Sequence, residues 1–224
     1  MTNLCTSTAE TLLAEPGDDR VIGIIAETAS FLVVDKPAGL LSVPGKNEPD
    51  CLEARLQAVY PDALTVHRLD MATSGICVIA RGKPSLAHLQ QQFERRLTKK
   101  TYEAVVWGQM TDDADTVDAP IRCDWPNRPL QMIDHQEGRQ AITHWRVIDR
   151  QADRTRLELT PVTGRSHQLR LHMKSLGHPI LGDQWYAEGE AKEMSPRLLL
   201  HARELGFAAP DTGRRLSFRS DCPF

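Results

Sequence analysis

Residues 67–107, HRLDMATSGICVIARGKPSLAHLQQQFERRLTKKTYEAVVW, hold the patterns from which the fold is read. Within them ICVIA, residues 76–80, is a short unbroken apolar run of the kind that forms a strand buried on both faces. Pro84 follows where a helix can open, because the N–H it lacks has no intrahelical partner at that point. Leu86, Leu89, Phe93 and Leu97 then recur at helical spacing and predict an inward stripe. TYEAVVW, residues 101–107, returns to a strand with Tyr102, Ala104 and Val106 on one face. The leading segment HRLDMATSG, residues 67–75, is polar, glycine-terminated and suited to an active-site loop.

Outward from this stretch, short strands predominate. SFLVVDKPAGLLSVPG, residues 30–45, predicts a strand over 31–35, broken at Lys36-Pro37 and followed by a Gly/Pro loop. Asp50 with Glu53 forms a capping-box pattern for a helix that buries Leu52, Leu56 and Val59 and stops at Pro61. AITHWRVI (141–148), TRLELTPV (155–162) and RLLLHA (197–202) are further strands, the second alternating Leu157 and Leu159 with Arg156 and Glu158. Ser166 is placed to cap a helix that turns Leu169, Met173 and Leu176 inward and ends at Gly177-His178-Pro179. Long loops around 108–138 and 182–196 suggest functional surface. Strands outnumber helices without alternating regularly with them, which predicts an α+β fold.

The chain has 224 residues, 41% hydrophobic and 25% charged, with a formal net charge of -3, the composition of a globular protein. No apolar run reaches the roughly 20 residues of a membrane-spanning helix, and the N-terminus lacks the pattern of a secretory signal. Residues 1–27 read as a loose arm. The five cysteines, Cys5, Cys51, Cys77, Cys123 and Cys222, are scattered and odd in number, which fits a reducing cytoplasm. A net charge of -3 argues against non-specific coating of nucleic acid, yet basic residues gather locally. Arg81, Lys83, Arg95, Arg96, Lys99 and Lys100 form one cluster. Arg165, Arg170 and Lys174 with His167, His172 and His178 form another. Each is either a solvated helix face or a phosphate-binding patch.

Three segments hold candidate chemistry. Asp70 in HRLDMATSG is an active-site carboxylate, or else it caps a turn or pairs with Arg68. Tyr102 is half-buried packing or a functional ring. Arg165, just ahead of a helix start, meets an anion or forms a structural salt bridge. His167 and His172 stand five apart rather than four, with no supporting cysteine or acid, so no metal site is expected. Phosphate-loop, dinucleotide and nucleophile-elbow motifs are absent. No cofactor is expected.

Beyond this point the reading rests on likeness. HRLDMATSG resembles the HRLDxxTSG signature of the RluA-type pseudouridine synthases. DKPAGLLSVPG resembles their upstream motif, KTYEAVVWG their tyrosine motif, and PVTGRSHQLRLHM with GHPILGDQWY their arginine motif, in the same order from about residue 28 to about 207. The resemblance implies a mixed, mostly antiparallel sheet with flanking helices and a central catalytic cleft. It implies one catalytic domain over 28–224 without an S4 module, and isomerisation of uridine to pseudouridine in RNA. By the same likeness Asp70 is the catalytic carboxylate, attacking the anomeric carbon or removing the 2′ proton. Tyr102 stacks on the flipped base, and Arg165 pairs with the carboxylate that desolvation would otherwise neutralise. Arg68 fills the gap left by the extruded base or holds its phosphate, and Leu200 lines the base pocket. The clusters around Arg95–Lys100 and Arg170–Lys174 would grip phosphates. CDWPNRP, residues 123–129, is most similar to members acting on both large-subunit ribosomal RNA and the tRNA anticodon stem-loop. The partners implied are therefore RNA alone, without DNA or membrane, for a cytoplasmic monomer. The alternatives are a synthase with one of these substrates, a non-catalytic RNA-binding homologue, and a hydrolase of the same bond. The last would need a second acid near Asp70, which the loop lacks.

Overall fold

The computed structural model describes residues 20–224. The expected arm falls outside them over residues 1–19, and its last residues form strand β1, Gly23–Glu27. The chain forms two compact units, one reaching to Lys99 and resuming over Glu204–Asp221, the other spanning Lys100–Arg203 and Cys222–Phe224. No helix among the described residues is long and apolar enough to cross a membrane.

The first unit is built on β2 (Phe31–Lys36) and β4 (Ser74–Arg81), paired antiparallel from Phe31 opposite Ala80 to Lys36 opposite Gly75. β1 flanks β2, and β3 (Ala63–Thr65) lies on β4. All of β4 except Arg81 is buried, as its unbroken apolar run predicts. The last residues of β11 (Leu200–Ala208) pair with β12 (Arg215–Arg219). This brings Phe207 edge-on to Phe31 with centroids 5.2 Å apart, and Phe218 within 5.7 Å of Phe207. Such pairs add to the burial of their area.

Two helices complete this unit, and their ends differ from the sequence expectations. α1 (Leu52–Gln57) is capped by Cys51, whose Sγ accepts from Ala54 N at 3.3 Å, rather than by Asp50. The Asp50 carboxylate is engaged instead by Arg55 at 2.6 and 2.7 Å and by Arg20 at 2.8 Å. A charge-assisted fork outcompetes a lone backbone N–H. Val59 lies beyond the helix and is exposed. α2 (Gly82–Glu94) buries Leu89 and ends as Arg96 enters the left-handed region, φ 56°, with Leu97 N reaching back to Gln92 O at 2.9 Å. That reversal turns Leu97 out to solvent, against the expected stripe.

The second unit is an antiparallel sheet in the order β5 (Lys99–Trp107), β10 (Arg154–Pro161), β9 (Ile142–Arg150), β6 (Ala114–Asp118). Thr155, Leu157, Leu159 and Pro161 of β10 are buried and alternate with half-buried neighbours, as expected for a strand with one wet face. On that wet face Glu158 stands directly opposite Glu103, a repulsive placement. Arg156 binds Glu103, Arg146 binds Glu158, and Arg203 bridges both carboxylates. The expected long loops contain short elements. A ribbon of β7 (Ile121–Cys123) and β8 (Gln131–Ile133) lies in the first, and helix α4 (Gly189–Glu193) in the second. α3 (Gln168–Ser175) buries Leu169 and Met173, while Leu176 is exposed.

Truncating Phe31 to Ala should remove the ring at the centre of the Phe31–Phe207–Phe218 group. Urea unfolding should register a loss of about 3–5 kcal/mol. A loss below 1 kcal/mol would mean that the group contributes little to the first unit.

Candidate active site

In the first unit Arg68 and Asp70 share the connection between β3 and β4. Asp70 is half-buried and Arg68 exposed. The residues on either side of Asp70 are held by side chains from the DKPAGLLSVPG segment. Ser42 Oγ donates to Leu69 O at 2.8 Å and accepts from Leu69 N at 3.1 Å. Lys36, 0% exposed, donates from Nζ to Leu40 O at 2.7 Å, Pro37 O at 2.8 Å and Met71 O at 3.2 Å. Gly39 N also reaches Met71 O, at 2.8 Å, and Thr73 N closes a turn onto Asp70 O at 3.0 Å. The carboxylate thus stands on a backbone fixed at both neighbouring peptides, the support a reacting group requires.

Further along the same loop, His67 Nε2 accepts from Val78 N at 3.2 Å and its ring stacks on Phe93 at 4.4 Å. Cys77 faces the interior, where burial pushes its thiol up to about 12. It is a packing residue, without thiolate chemistry. The nearby basic cluster divides in two. Arg81 is held by Asp62 and Lys99 by Glu204, while Arg95 and Arg96 are exposed.

In the second unit Tyr102 lies on β5 opposite Leu159 of β10 and is half-buried. Leu200 is buried at the start of β11, next to Leu199, whose carbonyl accepts from Val105 N at 3.1 Å. Arg165 follows β10 and is partly exposed, with Nε donating to Gln140 O at 3.1 Å. Its turn is organised by Gln168, whose Oε1 accepts from Arg165 N at 3.0 Å and Thr163 Oγ1 at 2.7 Å. Gln168 Nε2 donates to Ile142 O at 2.9 Å and Thr143 Oγ1 at 3.0 Å. These bonds replace the expected Ser166 cap. Ser166 is exposed, and His167 enters α3 in the left-handed conformation, φ 55°. Its Nδ1 meets the Tyr186 hydroxyl at 2.6 Å.

Arg170 does not join a phosphate-gripping surface. It is buried in a two-pronged bond to Asp183 at 2.7 and 2.6 Å, with the rings of Trp185 and Tyr186 across its guanidinium. Asp183 Oδ1 also accepts from Trp185 N and Tyr186 N, so the DQWY segment is folded around this arginine. His172 is buried too, between Thr143 Oγ1 on Nδ1 and Ala119 O on Nε2, at 2.8 and 3.0 Å. Because a carbonyl oxygen only accepts, Nε2 carries a hydrogen. Burial lowers its pKa from 6.5, with the Ala119 bond and Asp118 opposing less strongly. His167 and His172 accordingly serve separate hydrogen bonds. Lys36, Ser42 and Gln168 escaped the sequence reading as positioning residues. Their signal lay in two motifs that had been noted as whole segments.

This geometry coincides with a known family. Residues 30–175 match the family described as RNA pseudouridylate synthase. The dual-specificity RNA pseudouridine synthase RluA of Yersinia pestis is 47% identical over 204 residues, covering 90% of this chain and 99% of that protein. The protein of the same name from Escherichia coli strain K12 is 47% identical over 212 residues, 93% of this chain and 97% of its own. Human RNA Pseudouridylate Synthase Domain Containing 1 has a similar structure, with TM-score 0.80 and 26% identity over 94% of this chain and 87% of that one. The chain belongs to the RNA pseudouridylate synthase family, whose enzymes are isomerases. Within that family it is similar over most of its length to the RluA-type synthases named above.

Two outcomes test the second unit. Asp183→Asn should strand the Arg170 cation in the interior and cost about 3–5 kcal/mol in urea unfolding; an unchanged midpoint would mean that the pair adds no stability. His172 has a folded pKa below its unfolded value, so the unfolded chain binds more protons as pH falls through about 6.5. Stability should therefore decline as pH falls below about 6.5, and His172→Gln should flatten that decline in urea titrations.

Proposed function

We propose that this protein isomerises specific uridines to pseudouridine in both large-subunit ribosomal RNA and the tRNA anticodon stem-loop. It acts as a cytoplasmic monomer with one catalytic domain over residues 28–224. The observation that carries the reading is the half-buried Asp70, pinned through Leu69 and Met71 by Ser42 and Lys36. A carboxylate held this firmly in an RNA pseudouridylate synthase is suited to open the glycosidic bond. The two routes left open are attack on the anomeric carbon and removal of the ribose 2′ proton. The dual target is drawn from the relatives' names and from the CDWPNRP segment.

The remaining roles follow the reaction's needs. A stacked or paired uridine must leave its stack to reach Asp70, at a cost of a few kcal/mol. Tyr102 offsets this by stacking on the base, worth roughly 1–3 kcal/mol. Arg68, exposed on the Asp70 loop, occupies the space the base vacates or binds its phosphate. Arg165 serves as the motif arginine that pairs with the carboxylate, and Leu200 forms an apolar wall of the base pocket. Water excluded from the pocket cannot intercept the detached base and release free uracil. Arg95 and Arg96 bind phosphates at the exposed end of α2.

The test uses RNA tritiated at carbon 5 of uridine, since isomerisation releases that tritium to water. Wild-type protein should release it from an anticodon stem-loop and from a large-subunit rRNA fragment. Asp70→Asn should release none while binding both RNAs with affinity close to wild type. Turnover by Asp70→Asn would remove Asp70 from its role, and release from one RNA alone would reduce the function to a single substrate.

A further inference from the structure

The tip of the β7–β8 ribbon, residues 124–130, presents Trp125, at 63% the most exposed large apolar side chain among the described residues. The other three tryptophans have structural duties. Trp145 is buried, Trp107 packs beside Val105 and Leu181, and Trp185 covers Arg170. Trp125 adds nothing comparable to a core. A single exposed apolar residue is ordinary, but this one is arranged. The guanidinium of Arg128 sits 4.7 Å from its ring centroid, which orients the indole and leaves its other face to solvent. Arg128 forms no ion pair among the described residues, so its charge stays available.

The platform is also held in place. Asp124 N bonds Leu130 O, Asn127 N bonds Asp124 O, and Leu130 N bonds Asn127 O, each at 3.0 Å. Asn127 Nδ2 donates to Asp124 Oδ2 at 3.0 Å. At its root, Leu130 and Ile133 pack against Ile121, Leu171 and Tyr186. Gln131 N donates to the Tyr186 hydroxyl at 2.9 Å, the same hydroxyl that meets His167 beside Arg165. The ribbon and the arginine turn thus share one support.

A flat ring backed by an unneutralised cation suits a ligand that is flat and anionic at once. In RNA that is an unpaired nucleotide, because duplexed bases turn no face outward. We propose that Trp125 and Arg128 form a stacking platform for an unpaired base of the substrate other than the reacting uridine, with Arg128 reaching the adjoining phosphate. This rests on the RNA-modifying reading above. Because the tip is already cross-braced by its own hydrogen bonds, the contact requires little ordering and adds to affinity rather than to chemistry.

Binding of a stem-loop RNA with an unpaired loop, and of a blunt duplex of equal length, separates the outcomes. Trp125→Ala should weaken stem-loop binding roughly 5- to 150-fold, the loss of one base–aromatic stack, and leave duplex binding within twofold. Trp125→Phe should keep most of the affinity and Trp125→Leu should not, while all three retain the wild-type melting temperature. Arg128→Gln should lower the salt slope by about one. In tritium release, Trp125→Ala should raise KM with kcat unchanged. Equal weakening for duplex and stem-loop, full activity of Trp125→Leu, or no preference of wild type for the stem-loop would each overturn the platform. Tritium release by wild type with no effect of Trp125→Ala would sink the platform alone. Trp125-dependent binding without tritium release would sink the enzymatic reading alone.

Discussion

A lysine ammonium with no solvent exposure is the constraint on which the candidate site depends. Lys36 ends β2, and its three donors are directed onto the carbonyls of Pro37, Leu40 and Met71. Burying such a group is costly unless its hydrogen bonds are met, so the backbone must bring those carbonyls to one point. Two separate segments are thereby tied together, and the second contains Asp70. Ser42 adds the same discipline to the other neighbour of Asp70 by serving both polar groups of Leu69. The Asp70 side chain thus inherits its position from two residues packed behind its neighbours.

The second unit applies a similar logic with guanidinium groups. Arg170 has a rigid fork, and Asp183 presents two oxygens that match it inside the protein. Asp183 accepts from two backbone amides as well, so its charge is shared among donors that fix the loop after Gly182. On the wet face, Arg203 lies across Glu103 and Glu158, turning a repulsive cross-strand pair into part of a network. Arginines spent in this way are unavailable to a ligand. Arg68, Arg95, Arg96 and Arg128 are among the exposed cations that can still meet phosphate.

The strands were legible in the amino-acid order because their signal is local. The unbroken run in β4 and the alternation in β10 each state which faces are dry. Helix ends were less legible, since a cap is a competition. Asp50 is a good cap by type, yet Arg55 and Arg20 claim its carboxylate, and Cys51 takes the amide instead. The turn before α3 is decided by Gln168 bonding back to Thr163 and Arg165, a pattern no propensity encodes. Arg170 looked like a surface cation because its partner lies 13 residues away across a turn. Asp70, Arg68, Tyr102, Arg165 and Leu200 were singled out through motif likeness. Composition alone left Asp70 between a catalytic and a structural part.

The passage of the chain between its two units affects how the molecule comes into being. Residues up to Lys99 leave the ribosome early, but the strands carrying Phe207 and Phe218 are made only after the whole of Lys100–Arg203. Phe31 and its apolar neighbours must wait for these late partners, a contact of very long sequence separation that slows folding. During that wait the exposed sheet is a target for aggregation or chaperone capture. Synthesis cut short before β11 would therefore leave the Asp70 loop attached to an unfinished sheet, so that sheet is complete only once β11 and β12 have been made.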